Sequence, residues 1–168
     1  MDINLKIYDN IDILLICGLP GSGKSYFAKQ HFESSDRKRI NRAEIRRLLY
    51  EMSHFGKEWH ESDYSETDEV LVKHVEKKII EHHLHHNIKV LIDNTSVTKL
   101  SRKYYLEIAK ATKKTIAVIF INTPIQVCLQ RNRQRTDKKP ENVISNLFAS
   151  IEIPDTREGF NNSTIFTG

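Results

Sequence analysis

The octapeptide Gly18-Leu19-Pro20-Gly21-Ser22-Gly23-Lys24-Ser25 restricts the folds open to this chain more than any other segment. It satisfies the phosphate-loop pattern G-x-x-x-x-G-K-[ST] at every fixed position. Its flanks agree. Asp12-Ile-Leu-Leu-Ile-Cys17 is a short apolar run suited to a buried strand, and residues 26–32 can continue as a helix. A strand, a tight glycine turn and a helix N-terminus gather several backbone N–H groups around one anion. In that setting Gly21, Ser22, Gly23, Lys24 and Ser25 are the expected contacts of ATP or another nucleoside triphosphate. Lys24 would reach the β- and γ-phosphates, and the Ser25 hydroxyl would hold Mg2+. The motif identifies a donor and leaves the acceptor open.

The remaining strands and helices alternate. Lys38–Asn41, Ile88–Asp93, Thr115–Ile121 and Ser163–Phe166 read as strands. Helices are expected over 42–51, 67–86, 97–112, 124–134 and 142–151. In the second of these, Leu71, Val72, Val75 and Ile79 share a face, and Thr67 caps its start. In the third, Leu100, Tyr104, Ile108 and Ala111 align. Met52–Ser65 breaks the pattern and reads as an irregular loop, while residues 1–11 form a short extra strand or a loose N-terminal arm. The predicted fold is an α/β, P-loop NTPase-type parallel sheet, flanked by helices on both faces and carrying a helical lid. At 168 residues and without a linker, the chain is read as a single domain over 1–168.

Ligands of such sheets sit at the carboxyl ends of the strands, so the turns at Gly18, Asn41-Arg42, Asp93-Asn94 and Asn122-Thr123 should converge on one cleft. There Asp93 can hold the Mg2+ shell or orient a neighbouring arginine, with a helix cap as the alternative. Arg131 and Arg135 are four apart, so on one helix they share a face and can clamp a transferring phosphoryl group, with Arg133 pointing away. Arg46 can bind an acceptor phosphate, and Arg47 beside it should face solvent. The loop aromatics Phe55, Trp59 and Tyr64, with His54, can stack bases or simply pack. His82 and His86 have the i, i+4 spacing of a helical zinc site but lack an evident third ligand, and a polar helix end explains them better.

Three negative features narrow the setting. No apolar run reaches 18 residues, so no membrane span and no membrane partner are expected. Cys17 and Cys128 cannot form a disulfide framework and read as core residues of a protein from a reducing, cytoplasmic compartment. The net charge of +4 is only a mild bias towards anionic partners such as nucleic acid.

Taken together, the motifs resemble the 5′-hydroxyl polynucleotide kinases, both the bacteriophage type and the kinase domain of the animal kinase-phosphatases. Gly18–Ser25 is similar to their phosphate loop, and Asn41-Arg42 followed by Arg46 to their acceptor turn. Val90–Thr95 with Ser101-Arg102 resembles the animal segment after the third strand. Arg131-Asn132…Arg135 resembles the lid, and Pro154…Glu158-Gly159-Phe160 the run before the final strand. The resemblance spans residues 13–166. It implies transfer of a γ-phosphoryl group to the 5′-hydroxyl of RNA or DNA, with Asn41, Arg42, Arg46, Asn94 and Thr95 on the acceptor side and Lys24, Arg131, Arg135 and Asp93 in catalysis. No phosphatase or ligase segment accompanies the set.

One position departs from the pattern. Where the family carries aspartate after Asn-Arg, this chain has Ala43. That aspartate takes the acceptor proton during attack, which alanine cannot do. Either the chain is an inactivated form or another group is the base, with Asp93 the next candidate; a catalytically silent ATP-binding module also fits Ala43, and a kinase for a hydroxymethylated base in DNA or a small-molecule hydroxyl, which shares this core, stays open as well.

Overall fold

The computed structural model describes residues 5–167. In chain order it contains β1 (Ile13–Cys17), α1 (Lys24–Phe32), β2 (Lys38–Ile40), α2 (Arg42–Ser53), α3 (Glu66–His85), β3 (Val90–Asp93), α4 (Lys99–Thr112), β4 (Ile116–Ile121), α5 (Ile125–Arg133), α6 (Glu141–Ala149) and β5 (Asn162–Phe166). All the strand pairings are parallel, in the order β2-β3-β1-β4-β5. Ile16 stands opposite Asp93 and Cys17 opposite Phe120, so the ends of β1, β3 and β4 lie level. This is the P-loop kinase-like α/β fold expected from the strand–helix alternation.

The central strands β1, β3 and β4 are buried throughout because both faces of the sheet are covered there, while the edge strands β2 and β5 are partly exposed. Ile13, Leu15 and Cys17 alternate onto one face, against Ile80 and Leu84 of α3 and Tyr105 and Ile108 of α4. Leu14 and Ile16 point to the other, against Phe27 and Ala28 of α1. Tyr8 and Ile11 complete that second layer. Residues 5–11 are therefore neither a strand nor a loose arm: Leu5–Tyr8 is a 3-10 turn pinned by the buried Tyr8 ring. Met1–Asn4 of the expected arm lie outside the described residues.

Two helix faces differ from the periodic reading. The buried stripe of α3 is Glu69, Val72, Glu76, Ile80 and Leu84, and Leu71 is exposed. The stripe includes two glutamates because arginines of α2 reach across to them. In α4 the buried set is Arg102, Tyr105, Ile108 and Ala109, while Leu100 faces solvent. The cap of α3 is Ser65, whose hydroxyl accepts from the Asp68 N–H, and not Thr67. The 54–65 segment contains a 3-10 turn at Glu61–Asp63 and is anchored by the buried Trp59. No helix among the described residues is long and apolar enough to cross a membrane.

Candidate active site

The loop between β1 and α1 wraps tightly because its glycines leave no room for side chains. A Cβ on Gly21 would lie 2.4 Å from the Cys128 carbonyl oxygen, and its φ of +80° is one that only glycine adopts without strain. A Cβ on Gly18 would lie 2.7 Å from the Ile121 carbonyl oxygen. The loop is also tied to its surroundings. The Gly18 N–H donates to the Thr95 carbonyl (2.9 Å), and the Thr123 hydroxyl donates to the Ser22 carbonyl (2.8 Å). Lys24 Nζ folds back to donate to the Leu19 carbonyl at 2.7 Å. Burial lowers the Lys24 ammonium to about 8, with the Asp93 charge working in the opposite direction.

Asp93 ends β3 fully buried. Its Oδ2 accepts from Arg39 Nε (3.1 Å) and Nη2 (2.7 Å), whereas Oδ1 has no partner among the described residues. Arg39 in turn forks onto Glu44 at 2.9 Å. Asn41 caps α2, accepting from the Glu44 N–H (3.0 Å) and donating to the Asp93 carbonyl (2.7 Å). The Asn94 side chain accepts from the Arg42 N–H (2.9 Å) and donates to Glu76 (2.6 Å) and the Tyr105 hydroxyl (2.7 Å). Arg42 donates to Glu76 at 2.5 and 2.9 Å. Asn41, Arg42 and Asn94 thus stand at the cleft, but their polar atoms clip β2, β3, α2, α3 and α4 together.

Arg46 and Arg135 line the same cleft of about 420 Å³, together with Lys24, Ser25, Ala43 and Asp93. Thr95 also borders it. Arg46 is held by Glu69 at 2.8 Å and lies 5.8 Å from both the Trp59 and Tyr64 ring centroids. Arg47 reaches the cleft as well, and is not directed only to solvent. The shared helix face expected for Arg131 and Arg135 does not exist, since α5 stops at Arg133. Buried Asn132 ends it by bonding both the N–H and the carbonyl of Lys139 (3.0 and 2.8 Å), which folds the lid segment back. Arg131 Nη1 sits 3.5 Å from the Gly21 and Ser22 carbonyls, at the phosphate loop. Arg135 is held by Asp137 at 2.9 and 2.7 Å.

Three contributors are illegible from local pattern: Arg39, Glu69 and Asp137. Thr123 meets the phosphate loop as its place directly after a strand predicts. Far from the cleft, His86 Nδ1 bonds the His82 carbonyl at 2.7 Å and closes the end of α3. Among the described residues no group of three His, Cys, Asp or Glu side chains is placed to hold a metal ion.

This fold implies a divalent cation beside the donor phosphates, and the residues fit one. The unpartnered, buried Asp93 Oδ1 and the nearby Ser25 hydroxyl are hard oxygen donors suited to Mg2+.

Comparison with known proteins agrees with this fold. The AAA_33 family, an AAA domain, matches residues 13–154. An L-seryl-tRNA(Sec) kinase from Methanococcus maripaludis is 26% identical over 146 residues, 86% of this chain and 54% of that protein. The chain therefore spans about half the length of the curated relative it matches. Among solved structures, a chain of the Pnkp1/Rnl/Hen1 RNA repair complex is similar with a TM-score of 0.68 at 20% identity, covering 83% of this chain and 43% of that one. Chaetomium thermophilum Kti12 in complex with ADP-AlF3 has a TM-score of 0.67 at 18% identity, covering 92% and 88%.

Proposed function

The chain belongs to the AAA domain family, and from that premise we propose that it is a kinase moving the γ-phosphoryl group of ATP, or another nucleoside triphosphate, to the 5′-hydroxyl of a polynucleotide. The observation that carries the reading is the single cleft in which Lys24, Ser25 and Asp93 face Arg46, Arg47 and Arg135. A triphosphate lies along the loop with its γ-phosphate towards Asp93. Backbone N–H groups of residues 21–25 and the Lys24 ammonium bind its oxygens. Arg131 and Arg135 offer N–H groups from the lid side to the charge that builds on the phosphoryl oxygens. Ser25 and Asp93 would hold the Mg2+, which would supply neutralising charge to the donor phosphates. The RNA repair complex that contains a structurally similar chain supports a polynucleotide acceptor.

A second reading, transfer to a hydroxyl on a small molecule or on a group esterified to tRNA, is favoured by the named activity of the M. maripaludis relative. Incubation with γ-labelled ATP, Mg2+ and either a 5′-hydroxyl RNA or DNA oligonucleotide or seryl-tRNA separates the two. Label recovered as a terminal nucleoside 5′-phosphate after nuclease digestion is the expected result. Label released from tRNA by mild base, with the oligonucleotides unlabelled, would replace the first reading by the second.

A further inference from the structure

Resting on the polynucleotide reading, the charge pairing of the cleft identifies the group that meets the acceptor's backbone. On the acceptor side the arginines other than Arg47 are already matched. Arg39 lies against Glu44 and Asp93, Arg42 against buried Glu76, and Arg46 against Glu69. Only 17% of the Arg46 side chain is exposed, and turning it to a phosphate would strand Glu69, itself 11% exposed. Arg47 differs. Its side chain is 39% exposed, and its nearest carboxylate, Asp137, is 3.6 Å away. Both Asp137 oxygens are already hydrogen-bonded by Arg135 Nε and Nη2, so Arg47 shares that carboxylate only in a longer ion pair, without a hydrogen bond to it.

Arg47 also stands where the cleft opens into a second groove of about 610 Å³ along α2. The two spaces share Glu44, Arg47, Trp59, Glu61 and Asp137. Beyond Arg47, the groove carries Lys138 and the carboxylates Glu44, Glu51, Glu58, Glu61 and Asp137; Glu44, Glu61 and Asp137 are paired with Arg39, Lys139 and Arg135, while Lys138, Glu51 and Glu58 have no ion pair among the described residues. Past its mouth the groove is therefore acidic and does not attract a polyanion.

We propose that Arg47 binds the phosphodiester next to the acceptor hydroxyl, at the mouth where the cleft opens into this groove. A guanidinium fork suits two phosphate oxygens, and this one can supply it at the cost of only a long ion pair to a carboxylate that keeps Arg135. Arg46 shapes the wall and stays with Glu69.

Binding of a 3′-labelled, 5′-hydroxyl hexanucleotide tests this by fluorescence anisotropy, with Mg2+ and a non-hydrolysable ATP analogue present. A binding readout does not depend on the base missing at position 43. The oligonucleotide is compared with one bearing a neutral methylphosphonate at its first linkage. Wild type is expected to bind the charged form about tenfold more tightly, the scale of one hydrogen-bonded charge contact. In Arg47→Ala that preference disappears, and Arg47→Gln, which keeps the stem, gives the same result. Arg46→Lys retains the preference. If wild type has no preference, or if Arg47→Ala and Arg47→Gln keep it, the assignment of Arg47 is overturned and the kinase reading stands. If wild type binds no oligonucleotide at all, the polynucleotide reading fails, and this inference with it.

Discussion

Ala43 lines the cleft with Asp93, while the adjacent Glu44, also at the cleft, is held by Arg39. A carboxylate at position 43 would face the acceptor space, and no other free carboxylate of α2's first turn does. Ala43→Asp is therefore expected to raise phosphoryl transfer at least about 100-fold, the low end for a positioned general base. Initial rates of label transfer measure it; equal rates would show that proton removal is not the missing step. The cysteines support a different residue-scale expectation. Burial pushes the Cys17 thiol up to about 12 despite the nearby Arg102 and Lys24 charges, and burial raises Cys128 too. Neither should be alkylated by iodoacetamide at pH 8 in the folded protein, since thiolate is the reactive form. Intact mass should show two additions only after unfolding in urea. Addition to the native chain would mean that the wall behind the phosphate loop opens.

At the scale of elements, α4 and the final connection are joined by one buried ion pair. Arg102 is fully buried and donates to Glu158 at 2.9 and 2.6 Å, which ties α4 to the 3-10 turn before β5. Arg102→Met should cost about 3–5 kcal/mol in urea unfolding, because it strands a nearly buried carboxylate. Adding Glu158→Leu should recover much of that loss, since an apolar pair replaces a buried ion pair at little cost. An unchanged midpoint for Arg102→Met would refute the pairing. This contact also marks the limit of what local pattern reveals. The strands and the phosphate loop were legible because their signals are short-range: apolar runs, glycines at fixed offsets, a lysine and a serine. The faces of α3 and α4 were not, because periodic reading counts apolar residues and passes over Glu76 and Arg102. Those charges are buried only by partners on other elements, Arg42 and Glu158. Nothing in the sequence tells which of 22 carboxylates each of 26 cations will meet. Arg135 was misplaced for a related reason: a side chain–backbone bracket from Asn132 to Lys139 ends α5 early.

For the whole molecule, the same pairing decides how a net charge of +4 is felt by a polyanion. A basic protein invites the expectation of steep electrostatic binding, in which each neutralised phosphate releases counterions. Here Arg39, Arg42, Arg46 and Arg135 each hold a carboxylate within 3 Å, and Lys139 is paired with Glu61, so the cations that face the acceptor are largely cancelled in place. Arg47 remains, with Lys138 further along the groove. Single strands give a slope of about −0.7 in log K against log salt per phosphate contact. Oligonucleotide binding should therefore show a slope between about −0.7 and −1.4, one or two contacts. Arg47→Ala should flatten it by about 0.7. A wild-type slope steeper than about −3 would mean that several of the paired arginines leave their carboxylates when the acceptor arrives. In that case the cleft would work by exchanging partners, and Glu69, Glu76 and Asp137 would become the residues that set acceptor affinity.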